Sequence, residues 1–160
     1  MRESVLRGFV SGEAAINSLV RDLQGSVTQV SSVVSAVEIE DMPESFLLSR
    51  HHVMMLCDAA LAKTLTAEDL TTVAFALMAS DRFEWEDEII SEVLSDWSCP
   101  EVNYPLDEST LRMHRSWLEG NAHPPGRTSV VSNNGRLISV RRKVPRKLDR
   151  SAEIPDHSAD

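Results

Sequence analysis

The sequence predicts an all-α fold, a bundle of five or six helices, followed by a C-terminal β-hairpin or a disordered basic tail. Three observations carry that expectation. Apolar residues recur at helical spacing through most of residues 1–120. One helix-start device appears three times between residues 48 and 111. The connections between apolar stripes are short, which favours neighbouring helices packed antiparallel or obliquely.

The first elements are two short helical pieces at about 3–9 and 13–23, with Gly12 as punctuation between them. Ile16, Leu19, Val20 and Leu23 make one apolar face, and Gly25 ends the second piece. Residues 26–40 are ambiguous. Val27, Val30, Val33, Val34 and Val37 have helical spacing, but a run rich in Val and Ser is a poor helix former. Val37-Glu-Ile-Glu at its end alternates like a short strand. The spacing favours helix, and Pro43 closes the segment.

The repeated start device follows. Leu48-Ser49 precedes Val53, Leu65-Thr66 precedes Leu70, and Leu106-Asp107 precedes Leu111. In each case a Ser, Thr or Asp caps the first turn, and the apolar residue before it packs against the one five positions on. Helices are expected at about 49–63, 66–80, 86–96 and 107–119. Their buried stripes run through Val53, Leu56, Cys57, Ala60 and Leu61, through Leu70, Val73, Ala74 and Leu77, through Ile89, Ile90, Val93, Leu94 and Trp97, and through Leu111, His114 or Arg115, and Leu118. After Gly120, His123-Pro-Pro-Gly reads as a linker. Residues 128–131 and 136–140 flank Asn133-Asn-Gly135, the pattern of a hairpin turn. Residues 151–160 read as frayed.

The chain therefore divides into a helical domain, 1–123, and a tail, 124–160. Aromatic residues are 5% of the chain, so Leu, Val, Ala and Met must fill most of the core. The formal charge of −9 is unevenly spread. Residues 1–123 hold 8 Lys/Arg and 21 Asp/Glu, a net −13, whereas residues 124–160 hold 8 and 4, a net +4. An acidic body repels nucleic acid and attracts basic partners. The two cysteines, the lack of an apolar leader and the lack of a membrane-length apolar run predict a cytoplasmic protein with free thiols, no membrane span and no cofactor.

Few residue sets suggest chemistry. His51, His52, Cys57 and Asp58 lack the paired short spacing of a zinc site, so no metal is expected there. Residues 81–92 have the length of a calcium loop. Phe83 and Trp85 stand where oxygen ligands are needed, and Glu86 where glycine is required. Consecutive carboxylates at an exposed helix start also make poor acid–base catalysts, because neither a cleft nor a raised pKa is implied. Cys99 has no histidine fixed near it in sequence. No enzyme activity is expected.

Residues 81–101 instead look like a binding surface. Asp81, Glu84, Glu86, Asp87, Glu88, Glu92, Asp96 and Glu101 gather eight acids in 21 residues, with Trp85 and Trp97 interleaved. Tyr104 follows in a Pro-bounded loop. Aromatic anchors in a field of one charge sign suit an electrostatically steered protein interface. The bland alternative is a solvated helix start favoured by the helix dipole, with Phe83 and Trp85 as core plugs. The tail offers a second surface in Arg136, Arg141, Arg142, Lys143, Arg146, Lys147 and Arg150, able to meet nucleic-acid phosphates or an acidic protein face.

Phe9-Val-Ser-Gly12 and the short amphipathic helix after it resemble the start of small bacterial immunity proteins of the self-protective, colicin-like kind. Leu56-Cys-Asp58, Phe83-Glu-Trp-Glu-Asp-Glu, Glu101-Val-Asn-Tyr-Pro-Leu106 and Trp117-Leu118 are similar to the helical pattern of proteins from such loci. The resemblance spans roughly residues 1–120. It implies a helical protein that binds and neutralises a toxin, often a basic nuclease, in the producing cell. The expected function is thus an immunity-type protein that binds a basic toxin through the 81–101 surface, with Trp85 or Tyr104 as the anchor. The alternative is a regulatory nucleic-acid-binding protein that uses the basic tail.

Overall fold

The computed structural model describes residues 1–31, 34–125 and 137–143. Six helices occur among them: α1 (Glu3–Val10), α2 (Ile16–Gln24), α3 (Arg50–Leu61), α4 (Ala67–Ala79), α5 (Glu88–Ser98) and α6 (Glu108–Leu118). Five strands accompany them: β1 (Val27–Ser31), β2 (Val34–Glu40), β3 (Phe46–Leu47), β4 (Phe83–Glu84) and β5 (Leu137–Lys143). The fold is mainly helical, but two small sheets make it something other than all-α.

The three start devices form as their residues predict. Ser49 accepts a hydrogen bond from the His52 N–H, Thr66 from the Asp69 N–H, and Asp107 from the Thr110 N–H. Ser49 and Thr66 complete reciprocal capping boxes with the side chains of His52 and Asp69. The stapled residues Leu48, Val53, Leu65, Leu70 and Leu111 are buried, and Leu106 packs against the core. Each such cap contributes about 1 kcal/mol.

Three helices also end alike. After α1, α3 and α6 the chain turns through a left-handed residue, at Gly12 (φ 75°), Lys63 (φ 58°) and Gly120 (φ 78°). In each turn the amide that follows reaches back to an orphan helix carbonyl, Glu13 to Gly8, Thr64 to Ala59 and Asn121 to Ser116. Glycine adopts this conformation without a Cβ clash, whereas Lys63 carries some strain.

The core is one cluster of aliphatic residues with Phe9, Phe83, Trp97 and Trp117 among them. α4 packs most extensively on α5, and α3 on α6. Arg2 ties the start of α1 to α2 through Asp22, donating from its backbone N–H (2.5 Å) and its Nε (2.7 Å).

Residues 26–40 depart from the expected helix. β1 and β2 pair antiparallel, with a shift in register between Gln29 and Ser31. The valine spacing that mimicked a helix is outweighed by the stiffness of β-branched residues and by partners elsewhere in the chain. At the end of β2 the strand-like alternation holds: Val37 and Ile39 are buried, Glu38 and Glu40 exposed.

The second partner of β2 is β5, in parallel register from Val34↔Leu137 to Glu40↔Lys143. The tail strand expected at 136–140 therefore forms at Leu137–Lys143, and the pairing described for it is with the body. Residues 128–131 and the Asn133-Asn-Gly135 turn of the expected hairpin lie outside the described residues. The second sheet is a parallel pair of two-residue strands, Phe46↔Phe83 and Leu47↔Glu84.

Candidate functional site

The acidic segment is positioned by a buried carboxylate. Glu3, 1% exposed, accepts the Met42 N–H at 2.9 Å and the Ser80 hydroxyl at 2.5 Å. Ser80 Oγ in turn accepts the N–H groups of Arg82 (2.9 Å) and Phe83 (3.2 Å). This chain of bonds holds the turn after α4 and sets β4 beside β3. Phe46 N–H then donates to the Arg82 carbonyl (2.7 Å) and Leu48 N–H to the Glu84 carbonyl (2.8 Å).

Strand alternation does the rest. Phe83 is buried and meets the Phe46 ring edge-on, with centroids 6.0 Å apart. Glu84 and Leu47, paired in register, are both exposed, Leu47 to 62%. Trp85 is half-buried against the core, and Glu86 is exposed. Leu47, Phe83, Glu84, Trp85 and Glu86 line an open hollow of about 380 Å³.

Asp87 belongs to the frame rather than the free surface. Its side chain caps α5 by accepting the Ile89 N–H at 2.9 Å, and it receives Arg50 through Nε (2.5 Å) and Nη2 (3.2 Å). The Arg50 hydrogen bond, with help from the Ile89 amide, holds the Asp87 carboxyl below the usual range. This cap explains why α5 begins two residues later than expected.

The expected partner-binding residues thus separate into groups. Asp81, Glu84, Glu86, Glu88 and Glu101 are exposed, and Trp85, Asp87, Glu92 and Tyr104 are half-buried. Asp96 is not on the surface. It is fully buried beside His114 and Trp97, both also fully buried. Trp97 Nε1–H donates to His114 Nδ1 (2.9 Å), which leaves the imidazole proton on Nε2, facing Asp96 Oδ2 at 3.1 Å. Burial pushes the His114 imidazole down to about 4. Protonation would also place a second proton on Nδ1, against the indole N–H. Tyr104 sets its ring edge-on to His114, 6.1 Å between centroids, and so packs on this core network.

The body's arginines are largely committed elsewhere. Arg2 pairs with Asp22, Arg50 with Asp87, Arg112 with Glu108, and Arg115 with Asp58 and Glu119. Glu84, Glu86 and Glu88 have no side-chain partner among the described residues. The one cation within residues 81–101, Arg82, does not line the hollow.

The remaining candidates fall apart as sites. His52 closes a helix cap, Asp58 pairs with Arg115, and the buried Cys57 thiol donates to the Leu111 carbonyl at 3.3 Å. Among the described residues, no three His, Cys, Asp or Glu side chains converge to hold a metal, and no helix is long and apolar enough to cross a membrane. Of the basic tail residues, Arg141, Arg142 and Lys143 lie on β5 in register with Glu38, Ile39 and Glu40. Arg136, Arg146, Lys147 and Arg150 lie outside the described residues.

Sequence reasoning missed Glu3, Leu47 and the Asp96–His114 pair. Asp96 carries a readable signal, since it stands three residues after Val93 and seven after Ile89, on the buried face of α5. Leu47 and Glu3 carry none, because their roles depend on a strand pair and a hydrogen bond between distant segments. The chain matches no family model, and no curated protein or solved structure is found to be similar to it.

Proposed function

We propose that this chain is an immunity-type inhibitor that binds a basic bacterial toxin, a nuclease in the leading case, through the face built by β4 and the start of α5. The observation that supports this reading most is that Glu84, Glu86 and Glu88 are exposed and without a side-chain partner among the described residues, and that Glu84 and Glu86 line one hollow with the exposed Leu47 and half-buried Trp85. Asp22, Asp58, Asp87, Glu108 and Glu119 each pair with an arginine, whereas among the described residues these three do not. Their field steers a cationic partner and adds orientation, while the apolar residues supply buried contact area. Inhibition follows from occlusion: the carboxylates take the positions that substrate phosphates would occupy, and the body blocks approach. Asp87 holds the helix start in place rather than meeting the partner, and Asp96 plays no part in the contact.

The test uses the triple variant Glu84→Gln, Glu86→Gln, Glu88→Gln, which leaves the Asp87 cap intact. A basic nuclease toxin is titrated with each protein at low and high salt. Parent binding is expected to weaken as salt rises, and the variant to bind at least about tenfold more weakly, with loss of protection in co-expressing cells. Equal binding and equal protection by the variant would rule the reading out. A mobility-shift assay of the parent with DNA and RNA tests the alternative, nucleic-acid binding through the basic tail.

A further inference from the structure

We propose that the hollow lined by Leu47, Phe83, Glu84, Trp85 and Glu86 is the seat of a single arginine or lysine side chain from an extended segment of the partner. This deepens the reading above and rests on it for the partner's identity. The chemistry of the lining selects the guest. Leu47 and Trp85 offer apolar surface in the lining, which suits the methylene stem of a long cationic side chain. Glu84 and Glu86 flank the same hollow with carboxylates that meet no cation in the described chain. An indole beside two such carboxylates favours a guanidinium or ammonium head over a neutral or acidic one. An apolar guest would leave both carboxylates partly desolvated without compensation. Leu47 is the position that turns an acidic face into a seat. Its 62% exposure would be a liability on a strand that met nothing.

The probe is a pair of capped tripeptides, alanyl-arginyl-alanine and its citrulline counterpart, which has nearly the same shape but no charge. Each is titrated into the full chain, and the Trp85 indole N–H is followed by NMR after assignment with Trp85→Phe. The arginine peptide is expected to shift the Trp85 indole and Leu47 methyl signals, with the citrulline peptide about tenfold weaker. Glu84→Gln with Glu86→Gln should weaken arginine binding by a similar factor, and Leu47→Ala should also weaken it. Glu13→Gln, which removes an exposed acid outside the hollow and outside the acidic segment, should leave it unchanged.

Equal shifts from both peptides, or arginine shifts centred elsewhere, would overturn the proposal. So would a Trp85 signal that moves with protein concentration alone, because the guest would then be a second copy of this chain. Failure of the underlying reading looks different: the peptides discriminate at Trp85 while the toxin ignores every variant. If the toxin responds to the triple glutamine variant but the peptides do not discriminate, the reading stands and the single-side-chain seat falls.

Discussion

Replacing Asp96 with alanine is expected to destabilise the domain by about 3 kcal/mol. The substitution strands the His114 Nε2–H, whose hydrogen-bond acceptor is Asp96 Oδ2 at 3.1 Å in a site of zero exposure. A buried donor without a partner costs about 1–3 kcal/mol. The vacated carboxylate volume adds about 1 kcal/mol, because Trp97 and its neighbours are fully buried and relax only in part. Domains of this kind hold only about 5–15 kcal/mol in total, so the loss is a large share. Urea unfolding followed by tryptophan fluorescence is the assay, since Trp97 and Trp117 are buried and report the core. With a urea slope of roughly 1–3 kcal/mol per molar, the midpoint should fall by about 2 M at an unchanged slope. Asp96→Asn, which keeps an oxygen for His114, should fall between parent and alanine. Glu84→Gln, an exposed change, should stay within about 0.5 kcal/mol of parent. An Asp96→Ala midpoint that moves no further than that of Glu84→Gln would refute the reasoning.

Two further predictions concern titration and thiol chemistry. His114 stays neutral in the folded chain down to about 4, whereas an unfolded histidine titrates near 6.5. Between those values the unfolded state binds a proton that the folded state refuses, so this contribution is fully present above about 6.5 and is lost as pH falls toward 4, by roughly 3 kcal/mol. Urea midpoints measured from pH 7 to pH 4 should show that loss, and His114→Asn should flatten it; an equally steep loss in the variant would assign the acid limb to other groups. Cys57 is buried and its thiol is pushed up to about 12 by burial, whereas Cys99 is exposed. A colorimetric disulfide reagent at pH 8 should therefore label Cys99 alone in the native protein and both cysteines in urea.

The helical part of the fold was legible because its signals are local. Ser49, Thr66 and Asp107 each sit within three residues of the amide they cap, and their stapling partners lie five positions apart. The strands were not legible, because what stabilises them is remote in sequence. Val27, Val30, Val33, Val34 and Val37 fit a helix as well as a strand when read alone, and only pairing decides between them. The acidic surface was half legible. Charge alone placed Glu84, Glu86 and Glu88 outward correctly, but it placed Asp96 there too, although spacing on α5 set Asp96 beside the apolar stripe. A hydrogen-bonded histidine made that burial tolerable, and the pairing of α5 with α6 through Asp96 and His114 is not written in either helix by itself.

The register between β2 and β5 has a consequence for how the chain is made. Val34 meets Leu137, 103 positions later. At a synthesis rate of about 5–20 residues per second, β2 leaves the ribosome many seconds before its parallel neighbour exists. During that interval β1 can cover one edge of β2 and the other waits open, an adhesive strand on a half-made protein. Closing that edge also requires a long loop to be brought together, which slows folding more than any step among the locally capped helices. The sheet is therefore expected to be the last part of the molecule to form.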